Sequence, residues 1–168
     1  MNKKTIICFL VCLLLFCDVS LSNAKIFPDL TTAEETHISD VLSTEIMRGD
    51  DLGLFRPNAH LTKAEATAIV LKMKGYFNSY LSAPSTFSDV DLTHWASQTI
   101  GLATNLKLVK GDENNNFNPN KKVNAAEFIT MCLRVVGVGE LLDSTGRWPY
   151  AHMEFCQNEK ILNKLSKS

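Results

Sequence analysis

Three basic side chains, Lys63, Arg48 and Arg56, could together hold an anionic group. Lys63 is the second residue of Thr62-Lys63-Ala64-Glu65, a segment that opens an amphipathic helix. The free N–H groups of a helix's first turn and the helix dipole both favour negative charge at that end. An ammonium beside them adds to this preference, and Arg48 and Arg56 lie shortly before it in the sequence. These residues predict a site for an anionic ligand.

The glutamates Glu65 and Glu127 allow two interpretations. Each lies three residues after a side chain that can cap a helix, Thr62 in one case and Asn124 in the other. In such a capping box the two side chains satisfy free N–H groups of the first turn, which is a structural role. Both carboxylates are also placed to contact a ligand at the helix start, so both stay in the set of candidate binding residues.

The two tryptophans, Trp95 and Trp148, also allow two interpretations. An indole ring can stack on a sugar, or it can cover a helical core. Apolar residues follow Trp95 at near-helical spacing, which favours the core for both rings. Trp95 is nevertheless retained as a candidate ligand contact.

Other kinds of chemistry find little support in the sequence. It has no Gly-x-Ser-x-Gly elbow, no His-Glu-x-x-His and no P-loop. Residues 112–116 imitate the start of a calcium loop, but Phe117 and Val123 stand where that loop needs Gly and Glu. With 17 basic and 18 acidic residues, nothing in the overall charge points to nucleic acid. We predict a non-enzymatic protein without cofactor or metal.

The chain contains the same block twice. Ile46–Gly75 aligns without gaps with Leu108–Gly137, at a spacing of 62 residues (111 − 49). Nine of the thirty aligned positions are identical, whereas unrelated segments would share about two. A repeat of this length indicates stacked supersecondary units that bury their apolar faces against one another.

Each copy of the block predicts a helix, a loop and a second helix. In the second copy Thr93 is expected to cap the first helix and Gly111 to end it in a left-handed conformation. The Asn-rich loop that follows has Phe117 as its large apolar residue, which we expect to plug the core. The second helices are expected to end at Gly75 and Gly137. The fold class is therefore all-α.

A third opening segment begins near Trp148 and is not followed by a third loop or capped helix within the chain. Its apolar residues need a cover, because an uncapped repeat exposes apolar surface to water. The helix could close back on the opening helix of the first copy, or two chains could cover each other. We expect closure within the chain.

The first residues are typical of an export signal. A basic start precedes Ile6–Phe16, an apolar run too short to span a membrane, and small residues then suit cleavage after Ala24. No later apolar run is long enough for a membrane span. Export permits a disulfide between Cys132 and Cys156, although buried free thiols are the simpler expectation.

The ordered motifs of the chain resemble the S-layer homology domain family. They are Phe87-Ser88-Asp89-Val90, His94-Trp95-Ala96, Leu108-Val109-Lys110-Gly111-Asp112, Phe117-Asn118-Pro119 and Val123-Asn124-Ala125-Ala126-Glu127, with Ile46–Glu65 as the sister copy. The resemblance implies helix-loop-helix repeats that assemble as a pseudo-trimeric bundle with ligand pockets between neighbours. It also implies an exported bacterial surface module that binds cell-wall polysaccharide, commonly a pyruvylated secondary cell wall polymer.

This resemblance divides the chain into a signal peptide (1–24), repeat 1 (25–76), a linker (77–86), repeat 2 (87–138) and a partial repeat 3 (139–168). The family's binding motif runs Thr-Arg-Ala-Glu, and its arginine position holds Lys63 in repeat 1 and Ala125 in repeat 2. Lysine keeps the charge without the planar fork of arginine, and alanine keeps neither.

Two functions therefore stay open. The first is a wall-binding module at the cell surface. The second is a structural or assembly protein that binds another surface protein or a second copy of itself. The residues predicted to contact the ligand are Lys63, Glu65, Arg48, Arg56, Glu127 and Trp95.

Overall fold

The structure is a computed structural model that describes residues 27–77 and 83–159. These residues form six helices: α1 (Thr32–Ser43), α2 (Lys63–Met73), α3 (Ser97–Asn105), α4 (Ala125–Val135), α5 (Gly139–Asp143) and α6 (Tyr150–Asn158). The only β-type pairing among them is an isolated bridge between Thr62 and Lys122. The all-α prediction is thus confirmed. None of these helices is both long and apolar enough to cross a bilayer, and the predicted export signal lies outside the described residues.

An aspartate near the start of each repeat holds that repeat's loop in place. In repeat 2, Asp89 accepts the backbone N–H groups of Phe117 and Asn118 at 2.7 and 2.6 Å. In repeat 1, Asp29 accepts the two equivalent N–H groups at 3.0 and 2.6 Å. Such charge-assisted hydrogen bonds are stronger than neutral ones, so both loops are pinned in the same way.

A second aspartate closes the loop on itself. Asp112 Oδ1 accepts the N–H groups of Asn114 and Asn116, both at 2.9 Å, and Asp50 does the same in repeat 1. The hydrogen bond from Asn116 is the main reason that the pKa of Asp112 lies below its ordinary value. The segment that imitates a calcium loop therefore has a leading carboxylate occupied by the loop's own backbone.

Phe117 plugs the core as predicted and has no exposed surface. Its ring packs against Phe87, with 5.3 Å between the centroids, and Phe27 and Phe55 form the matching pair at 5.5 Å. Gly111 serves this packing, because a Cβ there would lie 2.3 Å from the Phe87 ring. The predicted left-handed cap at Gly111 is wrong, since α3 ends six residues earlier and Lys107 takes the positive φ of 58°.

The start of the first helix in repeat 2 also differs from the prediction. Thr93 does not cap it. Its N–H donates to Asp91 Oδ1 at 2.7 Å in a turn, and α3 begins only at Ser97. Trp95 lies in this turn with 63% of its surface exposed, so the expectation of a core position for Trp95 is wrong. A ring that precedes the helix is not carried onto the helix's buried face.

Both predicted capping boxes are present. Thr62 Oγ1 accepts the N–H of Glu65 while the Glu65 carboxylate accepts the N–H of Thr62 at 2.8 Å. Asn124 and Glu127 exchange the equivalent pair of bonds at 2.9 Å. The helices that they open, α2 and α4, are followed by Gly75 and Gly137 at φ values of 98° and 87°, as predicted from their glycines.

The start of α2 is seated on the loop of repeat 2. Lys63 N–H donates to Lys121 O at 2.8 Å, Ala64 N–H to Pro119 O at 2.9 Å, and Val123 N–H returns a bond to Leu61 O at 2.9 Å. The first two of these bonds satisfy N–H groups that the start of α2 leaves free. We call this set of contacts the repeat junction.

The third opening helix, α6, packs on α4 and α5, while α2 packs on α3 and α4. The opening helices α3 and α6 thus each lie against the capped helix of the repeat before. The expectation that the third opening helix closes on α1 is wrong, because α1 packs against none of the other described helices. The pseudo-trimeric arrangement remains a prediction.

Cys132 and Cys156 are both free thiols, and Cys156 is buried. Burial raises the pKa of each thiol above its ordinary value, with the neighbouring Cys156 adding to the effect at Cys132. The simpler of the two expectations for these cysteines is the one observed.

The repeat junction predicts that identical residues in the two copies differ in their contribution to stability. Phe117→Ala should lower the free energy of unfolding by about 3–5 kcal/mol, because it empties a fully buried site. Phe55→Ala should cost about 1–2 kcal/mol, since Phe55 is only half-buried. Urea unfolding followed by circular dichroism measures both, and equal losses in the two variants would contradict the asymmetry.

Candidate functional site

A groove of about 410 Å³ lies where the start of α2, the repeat 2 loop, α4 and the segment after α4 meet. It combines residues from three parts of the chain that are far apart in sequence. Its lining consists of Lys63, Val109, Lys110, Gly111, Val123, Glu127, Thr130, Met131, Arg134, Asp143 and Trp148.

Lys63 reaches across the repeat junction into this groove. Its Nζ donates to Lys110 O at 3.0 Å and lies 4.4 Å from the centre of the Phe117 ring, a cation–π distance. Burial lowers the pKa of the Lys63 ammonium, and the Glu127 carboxylate opposes that shift. Since an ammonium has three donors and one carries this bond, Lys63 keeps capacity for a ligand.

Asp143 gathers the other positive charges of the groove. Lys110 Nζ lies 2.9 Å from Asp143 Oδ2, and Arg134 donates to the same oxygen from Nη2 at 2.8 Å and from Nε at 3.1 Å. Burial alone would raise the pKa of Asp143, but hydrogen bonds from Lys110 and Arg134 and their charges outweigh it, so the pKa is lowered. The exposed Lys110 is the member of this cluster that is open to a ligand.

His152 backs the same carboxylate from the interior. Its side chain is fully buried, and Nε2 lies 3.2 Å from Asp143 Oδ1. That approach lacks the geometry of a hydrogen bond, and within the described residues neither ring nitrogen has a hydrogen-bond partner. Arg134, only 10% exposed, thus holds the oxygen of Asp143 that Lys110 also contacts, and His152 lies against the other oxygen.

Trp148 forms the outer wall of the groove. Its Nε1 donates to Thr130 Oγ1 at 3.0 Å, which fixes the ring against α4 while 49% of its surface stays exposed. A ring held in this way offers an apolar face next to polar groups, as a sugar-binding surface requires. Trp148 is thus half-buried rather than a core residue as predicted, and its exposed part is available to a ligand.

Glu127 and Glu65 are both engaged in their capping boxes. Glu127 also accepts a hydrogen bond from Lys121 Nζ at 3.2 Å. Burial acts to raise its pKa, but the bonds from Asn124 and Lys121 hold it below the ordinary value. Of the two glutamates, Glu127 lines the groove, so the structural and the ligand-facing interpretations can both apply to it.

The predicted site residues are divided by the fold. Lys63 and Glu127 line the groove, whereas Arg48, Arg56, Glu65 and Trp95 are not part of its lining. Arg56 pairs with Asp50 inside its own loop. Trp95 stacks on His94, with 5.8 Å between ring centroids.

Sequence reasoning missed Lys110, Thr130, Arg134 and Asp143. The repeat itself carries the signal for two of them, because Lys110 aligns with Arg48 and Arg134 with Lys72. A search for charged residues at equivalent positions of both copies would have found this pair. Asp143 follows the repeated block and has no counterpart within it, so only the tertiary structure brings it to the groove.

The described residues contain no group of three or more His, Cys, Asp or Glu side chains placed to hold a metal ion. The groove instead combines several cations, the carboxylates of Asp143 and Glu127, and the exposed indole of Trp148. Such a lining can hold an anionic, partly apolar ligand by charge and stacking.

The family model described as "S-layer homology domain" matches residues 26–67 and 86–129, together about half of the chain. Among curated proteins, the chain is 40% identical over 88 residues to "Cell surface glycoprotein 1" of Acetivibrio thermocellus, covering 52% of this chain and 4% of that protein.

It is 31% identical over 109 residues to "Cell surface protein" of Thermoanaerobacter kivui, covering 63% of this chain and 14% of the relative. It is also 31% identical over 121 residues to "Cellulosome-anchoring protein" of Acetivibrio thermocellus, covering 64% and 27%. The chain thus spans a small part of the length of these relatives.

The Asp143 cluster predicts a pH-dependent contribution to stability. A carboxyl whose folded pKa is lowered stabilises the fold above its unfolded pKa of about 3.9, and this stabilisation is lost as pH falls through the lower folded pKa. At pH 7, Asp143→Asn should cost about 2 kcal/mol, the scale of a hydrogen bond to a charged group. The difference from wild type should shrink between about pH 5 and pH 2. Urea unfolding across this range measures it, and a constant difference would contradict the assignment.

Proposed function

The chain belongs to the S-layer homology domain family, and from this we propose that it attaches to the bacterial cell wall by binding an anionic wall polysaccharide in the groove. Family membership and the cell-surface relatives place the chain at the cell surface. The observation that carries the proposal is the groove's lining, in which Lys63, Lys110 and Arg134 lie beside the exposed indole of Trp148.

Charge supports an anionic ligand. Lys63 and Lys110 both line the groove, and the Lys110 side chain is 59% exposed. A ligand carboxylate in the groove, such as that of a pyruvylated sugar, would lie near both lysines. Because lysine lacks the fork of arginine, it holds such a group as a point charge rather than bidentately. We therefore expect binding that weakens with salt.

Asp143 sets the strength of this site. Its carboxylate already neutralises Lys110, so a ligand carboxylate has to compete with it for that ammonium. Arg134 keeps its two hydrogen bonds to Asp143 and holds the carboxylate in place while Lys110 changes partner. On this proposal the site favours ligands that combine an anion with a sugar face over simple anions.

Some of the predicted residues that lie outside the groove form a second set of candidate ligand contacts. Arg48 and Glu65 of repeat 1 are the counterparts of Lys110 and Glu127, and Trp95 at the start of repeat 2 is the counterpart of Trp148 in partial repeat 3. We propose that they contact the polymer in the same manner on the side of repeat 1. The set is poorer, because Ala68 stands where Thr130 holds the ring of Trp148.

We propose no catalytic role for this chain, since its sequence carries none of the enzymatic motifs sought above and the matched segments are those of an attachment module. A second candidate function is binding of another surface protein. The exposed Leu92 and Trp95 near the start of α3 favour it, because both are large apolar side chains, 70% and 63% exposed.

Lys110→Ala should weaken co-sedimentation of the chain with purified wall sacculi by about tenfold, the scale of one charge-assisted contact. Lys107→Ala is the matched control, because Lys107 is also an exposed lysine paired with an acid, Glu140 at 2.8 Å, and does not line the groove. Lys63 is a poorer probe, since its ammonium also bonds the carbonyl of Lys110 and lies over the Phe117 ring between the repeats.

The same assay separates the two candidate functions. Sacculi stripped of their secondary polymer should lose wild-type binding. Binding that survives stripping, or a Lys110→Ala variant that sediments like Lys107→Ala, would sink the polysaccharide proposal and favour a protein partner.

A further inference from the structure

A buried histidine lies behind the carboxylate that neutralises Lys110. His152 has no exposed surface, and within the described residues neither of its ring nitrogens has a hydrogen-bond partner. We propose that His152 is a positioning residue of the groove, which donates a hydrogen bond to Asp143 when a ligand anion takes Lys110 away from that carboxylate. This role rests on the proposed function, in which Lys110 leaves Asp143 for the ligand.

The two oxygens of Asp143 are used unequally. Oδ2 accepts hydrogen bonds from Lys110 Nζ at 2.9 Å and from Arg134 Nη2 and Nε at 2.8 and 3.1 Å. Oδ1 accepts no hydrogen bond from the part of the chain that the structure describes, although His152 Nε2 lies 3.2 Å from it. One oxygen is therefore crowded with donors, while the other faces a donor that is not used.

A change of partner at Oδ2 would let this donor be used. The distance from His152 Nε2 to Asp143 Oδ1 already suits a hydrogen bond, and only the direction is unsuitable. Once Lys110 leaves, Arg134 still holds Oδ2, and the carboxylate can turn about that oxygen to present Oδ1 to the ring. In the tautomer that carries its proton on Nε2, the imidazole then donates to Oδ1.

Burial makes this hydrogen bond matter. The side chain of Asp143 is only 15% exposed, so water cannot fully replace an ammonium that departs. The buried imidazole, with both nitrogens unpartnered, also carries a desolvation cost that an apolar residue in its place would not carry. A bond between the two groups reduces both costs. It therefore offsets part of the free energy needed to separate Lys110 from Asp143.

Helix packing in the repeats does not by itself require an imidazole at this position. When the opening segments are aligned on Trp95 and Trp148, His152 falls on Thr99 of α3. Thr99 is half-buried, and α3 packs on α2 with that threonine in place. The histidine thus occurs in the opening helix whose neighbour supplies Asp143, which favours a role in the groove.

The first experiment needs no ligand, because Lys110→Ala imitates the departure of Lys110 from Asp143. In ¹H–¹⁵N spectra of the histidine side chains, the Nε2–H proton of His152 should move downfield from its wild-type position as it enters a hydrogen bond to a carboxylate. Lys107→Ala should leave that signal unchanged, since Lys107 pairs with Glu140 outside the groove. A proton on Nδ1 instead, or one unchanged shift in all three proteins, would overturn the proposal.

The second experiment measures the coupling between Lys110 and His152 by urea unfolding. His152→Phe fills the space of the ring without a donor, whereas His152→Gln keeps an N–H donor. Lys110→Ala should raise the unfolding equilibrium constant about threefold to tenfold more in the His152→Phe background than in wild type, the scale of one hydrogen bond. In the His152→Gln background its effect should be close to that in wild type.

A histidine that only packs the core predicts a different result. Lys110→Ala would then have the same effect in all three backgrounds, because independent sites add, and that outcome would refute the coupling. The spectral experiment leaves His152 unchanged, so it decides the matter even where His152→Phe does not fold.

The third experiment joins this coupling to binding, by co-sedimentation with purified wall sacculi. His152→Phe should weaken binding about threefold to tenfold, and His152→Gln should restore it. Cys156→Ala is the matched control, because Cys156 is also buried and lies one turn further along α6, and it should bind like wild type.

The failure of this inference can be told apart from the failure of the proposed function. A wild type that does not sediment with sacculi would refute the proposed function, while the two ligand-free experiments would still decide whether His152 takes over from Lys110. A His152→Phe variant that binds like wild type, although Lys110→Ala binds weakly, would instead refute the role of His152 alone.

Discussion

The carboxylates of Asp89 and Asp29 each accept two consecutive backbone N–H groups from a loop more than twenty residues away. This pair of bonds determines where the loop runs and which of its groups face the neighbouring repeat. In repeat 2 it carries Phe117 into the core and turns the carbonyls of Pro119 and Lys121 toward the start of α2. Without it the first N–H groups of α2 would lose these acceptors.

The groove is a consequence of the same arrangement. Because α2 is seated on the repeat 2 loop, Lys63 lies next to the carbonyl of Lys110, and a chain of nearly balanced charge acquires a local concentration of cations. Asp143 then offsets part of that charge and pairs with the nearly buried guanidinium of Arg134. Desolvated charges need such compensation, which explains why a carboxylate lies among the cations of this groove.

Local signals in the sequence predicted local structure well. The capping boxes at Thr62 and Asn124 and the glycines that follow α2 and α4 depend on contacts within a few residues, and all were predicted correctly. Predictions failed where the role of a residue depends on which residues lie next to it in the fold. Gly111 resembles a helix cap in sequence, but it is needed for close approach of the Phe87 ring, and Trp95 follows a helical pattern although it precedes the helix.

The sequence by itself determined the duplication, the helical class, the capped helix starts and the core position of Phe117, because these follow from spacing, local hydrogen bonding and residue type. It also identified Lys63 and Glu127, two residues that line the groove. Only the tertiary structure decided that α6 packs on α4 and that Asp143 meets Lys110 and Arg134. It also decided that Phe117 is fully buried while its counterpart Phe55 is only half-buried. The physical reason is that burial and charge pairing depend on which repeat lies alongside, and a repeated sequence is the same whether or not a neighbour covers it.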